Sequence, residues 1–85
     1  MDFAELEAVA ALSKTLHFSR AASTINLSPS ALSRLISRVE SECGTPLFER
    51  DNRCVSLTAA GETFVRFAEK CLFERDELLQ CFSGI

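Results

Sequence analysis

The sequence has no C-x-x-C pair, one histidine, and three glycines that stand far apart. Each absence removes a class of chemistry. The four cysteines, Cys43, Cys54, Cys71 and Cys81, are separated by 11, 17 and 10 positions. With only His17 beside them, they lack the ligand spacing of a tetrahedral zinc site. A disulfide framework suits a secreted chain, but the acidic start Met1-Asp2-Phe3-Ala4-Glu5 is not the basic-then-apolar layout of a signal peptide. The cysteines are therefore expected to be reduced core or interface residues, and the chain to be cytoplasmic. Gly44, Gly61 and Gly84 make no phosphate loop. The serines show no nucleophile elbow, and His17 has no obvious carboxylate or nucleophile partner in sequence. No enzymatic activity, metal or cofactor is expected. No apolar run approaches the roughly 20 residues that cross a bilayer.

What is present fits one small domain: 85 residues, 47% of them hydrophobic and 25% charged. The net charge of −3 argues against a nucleic-acid binder only until it is divided along the chain. From Lys14 to Val39 there are four basic residues and no acid over 26 positions. Salt screens exposed charges beyond about 8–10 Å, so a local cationic face can meet a polyanion on an acidic chain. Charge alone does not separate this from chance clustering on a solvated surface.

Asp2 to Leu16 carries Phe3, Leu6, Val9, Ala10 and Leu16 at mostly helical spacing, with Glu5 and Glu7 on another side. This predicts a first amphipathic helix capped by Asp2. Ser19 is expected to cap a short second helix, Arg20 to Ile25. Asn26-Leu27 makes a tight connection. Ser28-Pro29 then starts a third helix, with serine as cap and proline at the first helical position. Gly44 and Pro46 end it. On a helical wheel Leu32, Ile36, Val39 and Cys43 form one apolar stripe. Ser30, Ser33, Arg34, Ser37 and Ser41 lie opposite, with Arg38 flanking. Small hydroxyls permit close approach to a surface, and arginines bind phosphates or guanine edges. Leu47-Phe48-Glu49-Arg50 and Cys54-Val55-Ser56-Leu57 are strand-like, and Asp51-Asn52-Arg53 between them has turn chemistry. Thr58 caps a fourth helix reaching about Phe82. Glu40 and Glu42 stand near the end of the third helix, where their only expected roles are solubility or pairing with nearby arginines. The fold class is thus mainly α: a winged helix-turn-helix of three helices and a two-stranded wing, followed by a long helix. The second helix of the helix-turn-helix pair would offer its polar face to the major groove of DNA.

The stretches Phe18-Ser19-Arg20-Ala21-Ala22, Leu27 to Arg34, Gly44 to Arg50 and Leu57 to Gly61 resemble the amino-terminal domain of LysR-type transcriptional regulators. The similarity runs from about Leu6 to Gly61. It implies a sequence-specific DNA-binding domain that dimerises through the fourth helix and binds an interrupted palindrome. By that resemblance Pro29, Ser30, Ser33 and Arg34 would read bases. Ser28, Ser37 and Arg38 would neighbour phosphates, Arg53 on the wing would reach the minor groove, and Arg50 would lie at the base of the wing. Pro29 and Leu35 stand where many members carry Gln, and Leu35 is expected near the edge of the DNA face. Ser28-Pro29-Ser30 and Asp51-Asn52-Arg53 are similar to the branch that activates acetohydroxyacid isomeroreductase expression. The resemblance divides the chain into a winged part, 1–58 (helix-turn-helix about 18–43, wing about 47–57), and a linker helix, 59–85. The effector domain of such regulators is expected to be absent, and RNA polymerase would be a partner of a full-length protein.

The fourth helix carries the oligomer expectation. Phe64, Cys71, Leu78 and Ile85 lie seven apart, as do Val65, Leu72 and Leu79. Phe67 and Cys81 share a seam interrupted by Glu74, and Phe82 flanks the first row. So wide an apolar sector exceeds what a winged part of about 57 residues can cover, which suggests a homodimer. Phe64, Phe67, Cys71, Leu72, Leu78, Leu79 and Phe82 are the expected interface. The competing reading is a winged-helix protein-interaction module whose serine face is inert.

Overall fold

The computed structural model describes residues 1–84; Ile85, the last member of one apolar row, lies outside them. The described residues form α1 (Phe3–Thr15), α2 (Phe18–Thr24), α3 (Pro29–Cys43), β1 (Phe48–Arg50), β2 (Val55–Leu57) and α4 (Ala59–Ser83). The two strands pair antiparallel, with Phe48 opposite Leu57 and Arg50 opposite Val55. This is the expected winged helix-turn-helix followed by a long helix.

α1 begins with a reciprocal cap. The Glu5 N–H donates to Asp2 Oδ1 at 2.9 Å, and the Asp2 N–H donates to Glu5 Oε1 at 3.0 Å. Each bond satisfies an orphan donor of the first turn. The helix is covered on more sides than an amphipathic pattern suggests. Glu5, Leu6, Ala8, Val9, Ala10, Ala11 and Leu12 are all buried, because α1 lies between α2, α3 and α4. Small alanines let three neighbours approach it at once. The expected apolar members Phe3 and Leu16 are exposed instead.

α2 starts two residues earlier than a Ser19 cap would place it, and its cap is His17. The ring Nδ1 accepts the Arg20 N–H at 3.3 Å. Leu16, in the left-handed region at φ 53°, closes α1. The Thr15 hydroxyl then ties the His17 backbone from both sides, accepting its N–H at 3.2 Å and donating to its carbonyl at 3.1 Å. The chain is thereby aimed into α2 at position 18, so Ser19 falls inside the first turn.

Leu12, Leu32, Ile36, Val39 and Leu47 are 0–1% exposed and form the centre of the core. Each such side chain contributes about 1.5–3 kcal/mol on burial, so Leu32, Ile36 and Val39 together fix which way α3 faces. Cys43 does not continue their stripe. It is exposed, because the last step of α3 passes the edge of the core. Cys54 and Cys81 are exposed too, and Cys71 is half-buried; all four thiols are free. Cys43, Cys54 and Cys81 are therefore not core residues, which leaves the interface half of the expectation for them.

Between α3 and the wing, the Glu40 carboxylate accepts the N–H groups of Leu47 and Phe48 at 2.8 and 3.2 Å through Oε2. The Leu47 carbonyl accepts the Thr58 N–H at 3.0 Å. The Thr58 hydroxyl donates to the Pro46 carbonyl at 2.8 Å and accepts the Gly61 N–H at 2.9 Å. The cap of α4 thus also binds the segment entering the wing. Gly61 is buried there, and a Cβ would collide with the Leu47 carbonyl oxygen.

The first half of α4 packs on the domain through Gly61, Phe64 and Ala68, with Val65, Cys71 and Leu72 half-buried beside them. Phe64 is only 9% exposed and belongs to the core of its own chain, which corrects its place in the expected interface. Arg75 makes the outermost attachment. Beyond it, residues 76–84 are all exposed, and the molecule measures 50 × 24 × 18 Å.

Candidate nucleic-acid interface

The corner between α2 and α3 is a Schellman turn. The Leu27 N–H reaches back to the Ala22 carbonyl at 2.9 Å and the Asn26 N–H to that of Ser23 at 3.4 Å. Asn26 occupies the left-handed region at φ 57°, which its short polar side chain tolerates. The turn reverses the chain in a few residues and delivers Ser28 as the α3 cap, its Oγ accepting the Ala31 N–H at 3.1 Å. The Ser28 and Ser30 hydroxyls lie 3.3 Å apart.

With Leu32, Ile36 and Val39 facing inward, the opposite flank is fixed outward. Ser28, Pro29, Ser30, Arg34, Ser37 and Arg38 are exposed, and Ser33 is half-buried. Leu35 is half-buried against the core, which leaves only part of it at the margin of this flank. The flank presents mainly hydroxyls and guanidinium groups, and partial burial reduces the apolar edge expected from position 35.

The wing positions its two arginines differently. Arg50 ends β1, and its guanidinium lies 4.5 Å from the ring centroid of Phe18, a cation–π contact. It fastens the base of the wing to the start of α2, a contact between distant positions that no local spacing announces. Arg53 stands at the hairpin tip. Asp51 shapes that tip, its Oδ1 accepting the N–H groups of Arg53 and Cys54 at 3.1 and 3.0 Å. These two bonds hold the Asp51 carboxyl below its ordinary pKa of 3.8. The structure shows no contact that brings Arg53 to α3.

Three acids around this surface are engaged elsewhere, while Glu49, exposed on β1, forms no ion pair among the described residues. Glu40 is spent on the Leu47 and Phe48 N–H groups. Glu42 pairs at 3.1 Å with the N-terminal ammonium, whose pKa it raises from 8.0. Asp51 is engaged within its own turn. Among the described residues, Arg34, Arg38, Arg50 and Arg53 form no ion pair. Arg20, exposed on α2 and likewise unpaired, is a further cation from the basic stretch of the sequence. No group of three or more His, Cys, Asp or Glu among the described residues could hold a metal ion. No helix there is long and apolar enough to cross a membrane.

Residues 3–62 match the sequence model of the family described as bacterial regulatory helix-turn-helix protein, lysR family. The chain belongs to the LysR family. Among LysR-family relatives, the HTH-type transcriptional activator IlvY of Salmonella typhimurium is 45% identical over 78 residues, which are 92% of this chain and 26% of the relative. The chain thus spans about a quarter of the length of that relative. A solved complex of the BenM DNA-binding domain with catB site 1 DNA superimposes with a TM-score of 0.93 at 30% identity, covering 99% of this chain and 94% of the other. A full-length OxyR variant from Pseudomonas aeruginosa gives 0.94 at 32% identity, covering 99% of this chain and 28% of that one. The close agreement extends through α4, since nearly the whole chain is covered in both superpositions.

Proposed function

We propose that this domain binds duplex DNA sequence-specifically as a homodimer and serves promoter recognition in a bacterial transcription regulator. The observation that carries the proposal is the outward flank of α3, where exposed hydroxyls and unpaired arginines face away from the core without a competing acid. A helix of this width fits the major groove. Arg34 would read a guanine through O6 and N7, Ser30 and Ser33 would serve bases or phosphates, and Pro29 would meet a thymine methyl. Ser28, Ser37 and Arg38 would lie along phosphates, with the start of α3 itself a favourable phosphate neighbour. Arg53 would enter or flank the minor groove, while Arg50, held on Phe18, would stay at the base of the wing. The 94% coverage of a DNA-binding domain solved on its DNA site supports the same docking.

The winged part, residues 1–58, would make the DNA contacts and the helix from 59 onward would pair two copies. Phe67, Leu78, Leu79 and Phe82 are 51–62% exposed along it. Such an apolar surface is suited to a twin helix in an antiparallel or crossed pair, with Cys71 and Leu72 at its inner margin. Twofold symmetry of the protein would impose an interrupted palindrome on the site. In a full-length cytoplasmic regulator the bound dimer would act on RNA polymerase.

The test is binding to the DNA upstream of its own gene at two salt concentrations, for the wild type and Arg34→Ala. Affinity is expected to fall with salt by about 0.9 log units per neutralised phosphate per log unit of salt. Arg34→Ala is expected to lose about 1–3 kcal/mol at the preferred site while retaining most non-specific binding. Equal affinities of the two proteins for that site would refute the proposed readout.

A further inference from the structure

We propose that Arg75, clamped on Glu7 and Phe3 of α1, is a positioning residue that sets the angle at which the free end of α4 leaves the domain, and through it the half-site spacing the dimer prefers. The inference rests on the dimeric DNA-binding reading above. Arg75 Nη1 pairs with Glu7 Oε1 at 2.6 Å across 68 positions of sequence, and Nη2 with Asp76 Oδ1 at 3.0 Å. The guanidinium also lies 5.2 Å from the ring centroid of Phe3. Phe3 is 50% exposed, so this cation covers a ring that the core leaves open. The planar group is held on one face by an aromatic ring and at its edge by two carboxylates, an arrangement that suits arginine specifically.

The location gives the clamp its leverage. Inward of Arg75, α4 is seated by Phe64, Ala68, Cys71 and Leu72; outward of it, every described residue is exposed. Among the described residues, Glu7–Arg75 is the ion pair that joins α4 to another helix. At 1.5 Å per residue, the part of α4 beyond Arg75 extends about 12 Å, to Ser83. A tilt of about 15° over that length moves the helix end by on the order of 3 Å, close to the roughly 3.4 Å between successive base pairs. Two domains joined through their outer helices would carry that tilt into the distance between their recognition helices.

The experiment selects duplexes from a randomised pool with the 85-residue chain and its variants, and reads the spacing between inverted half-sites. Melting temperature and sedimentation are measured alongside. The wild type is expected to enrich one spacing. Arg75→Met and Glu7→Gln are expected to raise neighbouring spacings by about two- to fivefold, as befits a partly exposed pair, and the double variant to do no more than either alone. Arg75→Lys, which keeps the charge but not the planar face, is expected to fall between. Folded, dimeric variants with the wild-type spacing distribution would overturn the inference. If Arg75→Met fails to fold, Glu7→Gln decides on the same readout. A wild type that enriches unrepeated half-sites would instead refute the dimeric reading itself, and this inference with it.

Discussion

Replacing Glu40 with alanine removes the acceptor from two partly buried N–H groups at once, those of Leu47 and Phe48. Hydrogen bonds to a charged group are worth more than neutral ones, so a loss of about 2 kcal/mol is expected, with Glu40→Gln losing less because its amide oxygen still accepts. Thermal unfolding checks this, at about 4–8 °C per kcal/mol for a domain of this size. Asp51 makes a prediction about acid. Its folded pKa lies below 3.8 because the anion accepts two turn N–H groups. Its contribution is therefore present above that ordinary value and is lost as pH falls through the depressed one. The Arg53 and Cys54 amide resonances are expected to titrate together in that range, and Asp51→Asn to abolish the titration. Some of these roles were legible and some were not. Ser28 could be read as a cap because its partner lies three positions on and proline follows. Glu40 could not, because its partners lie beyond Gly44-Thr45-Pro46 and meet it only after the chain has turned. His17 went unread as a cap because the Thr15 hydroxyl, not the identity of the capping side chain, fixes where α2 begins.

The junction of wing and fourth helix is controlled by the absence of a side chain. Gly61→Ala would press a methyl group into the Leu47 carbonyl. Overpacking of this kind costs about 1–3 kcal/mol; urea unfolding is expected to show it as a lower midpoint with an unchanged slope. The elements themselves were largely readable, since Ser28-Pro29, Gly44 and Thr58 mark their ends. The faces were less so. Spacing of seven placed Phe64 in a row with Cys71 and Leu78, but it does not say which neighbour covers each member. In the fold Phe64 is core while Leu78 is exposed. α1 was misread in the opposite direction. Glu5 looked like the mark of a solvated side, yet it is buried as half of a cap, and the helix is covered by three others.

At the scale of the molecule, an acidic chain leaves Arg20, Arg34, Arg38, Arg50 and Arg53 unpaired on the helix-turn-helix and wing, with Glu40 and Asp51 engaged by backbone N–H groups and Glu42 by the N-terminus. That division was visible in the sequence from Lys14 to Val39; the fate of Glu40, Glu42 and Asp51 was not, because it depends on contacts made only in the fold. The outer part of α4 has its own consequence. Leu78, Leu79 and Phe82, 55–62% exposed, gain little from folding in isolation. On the dimeric reading proposed above, their further stabilisation would come from another copy, and association linked to folding follows mass action. Dilution should then weaken the protein: its melting temperature is expected to climb as the solution is made more concentrated, and Leu79→Asp to flatten that climb. Heat tolerance, for this chain, would depend on how crowded it is with its own kind.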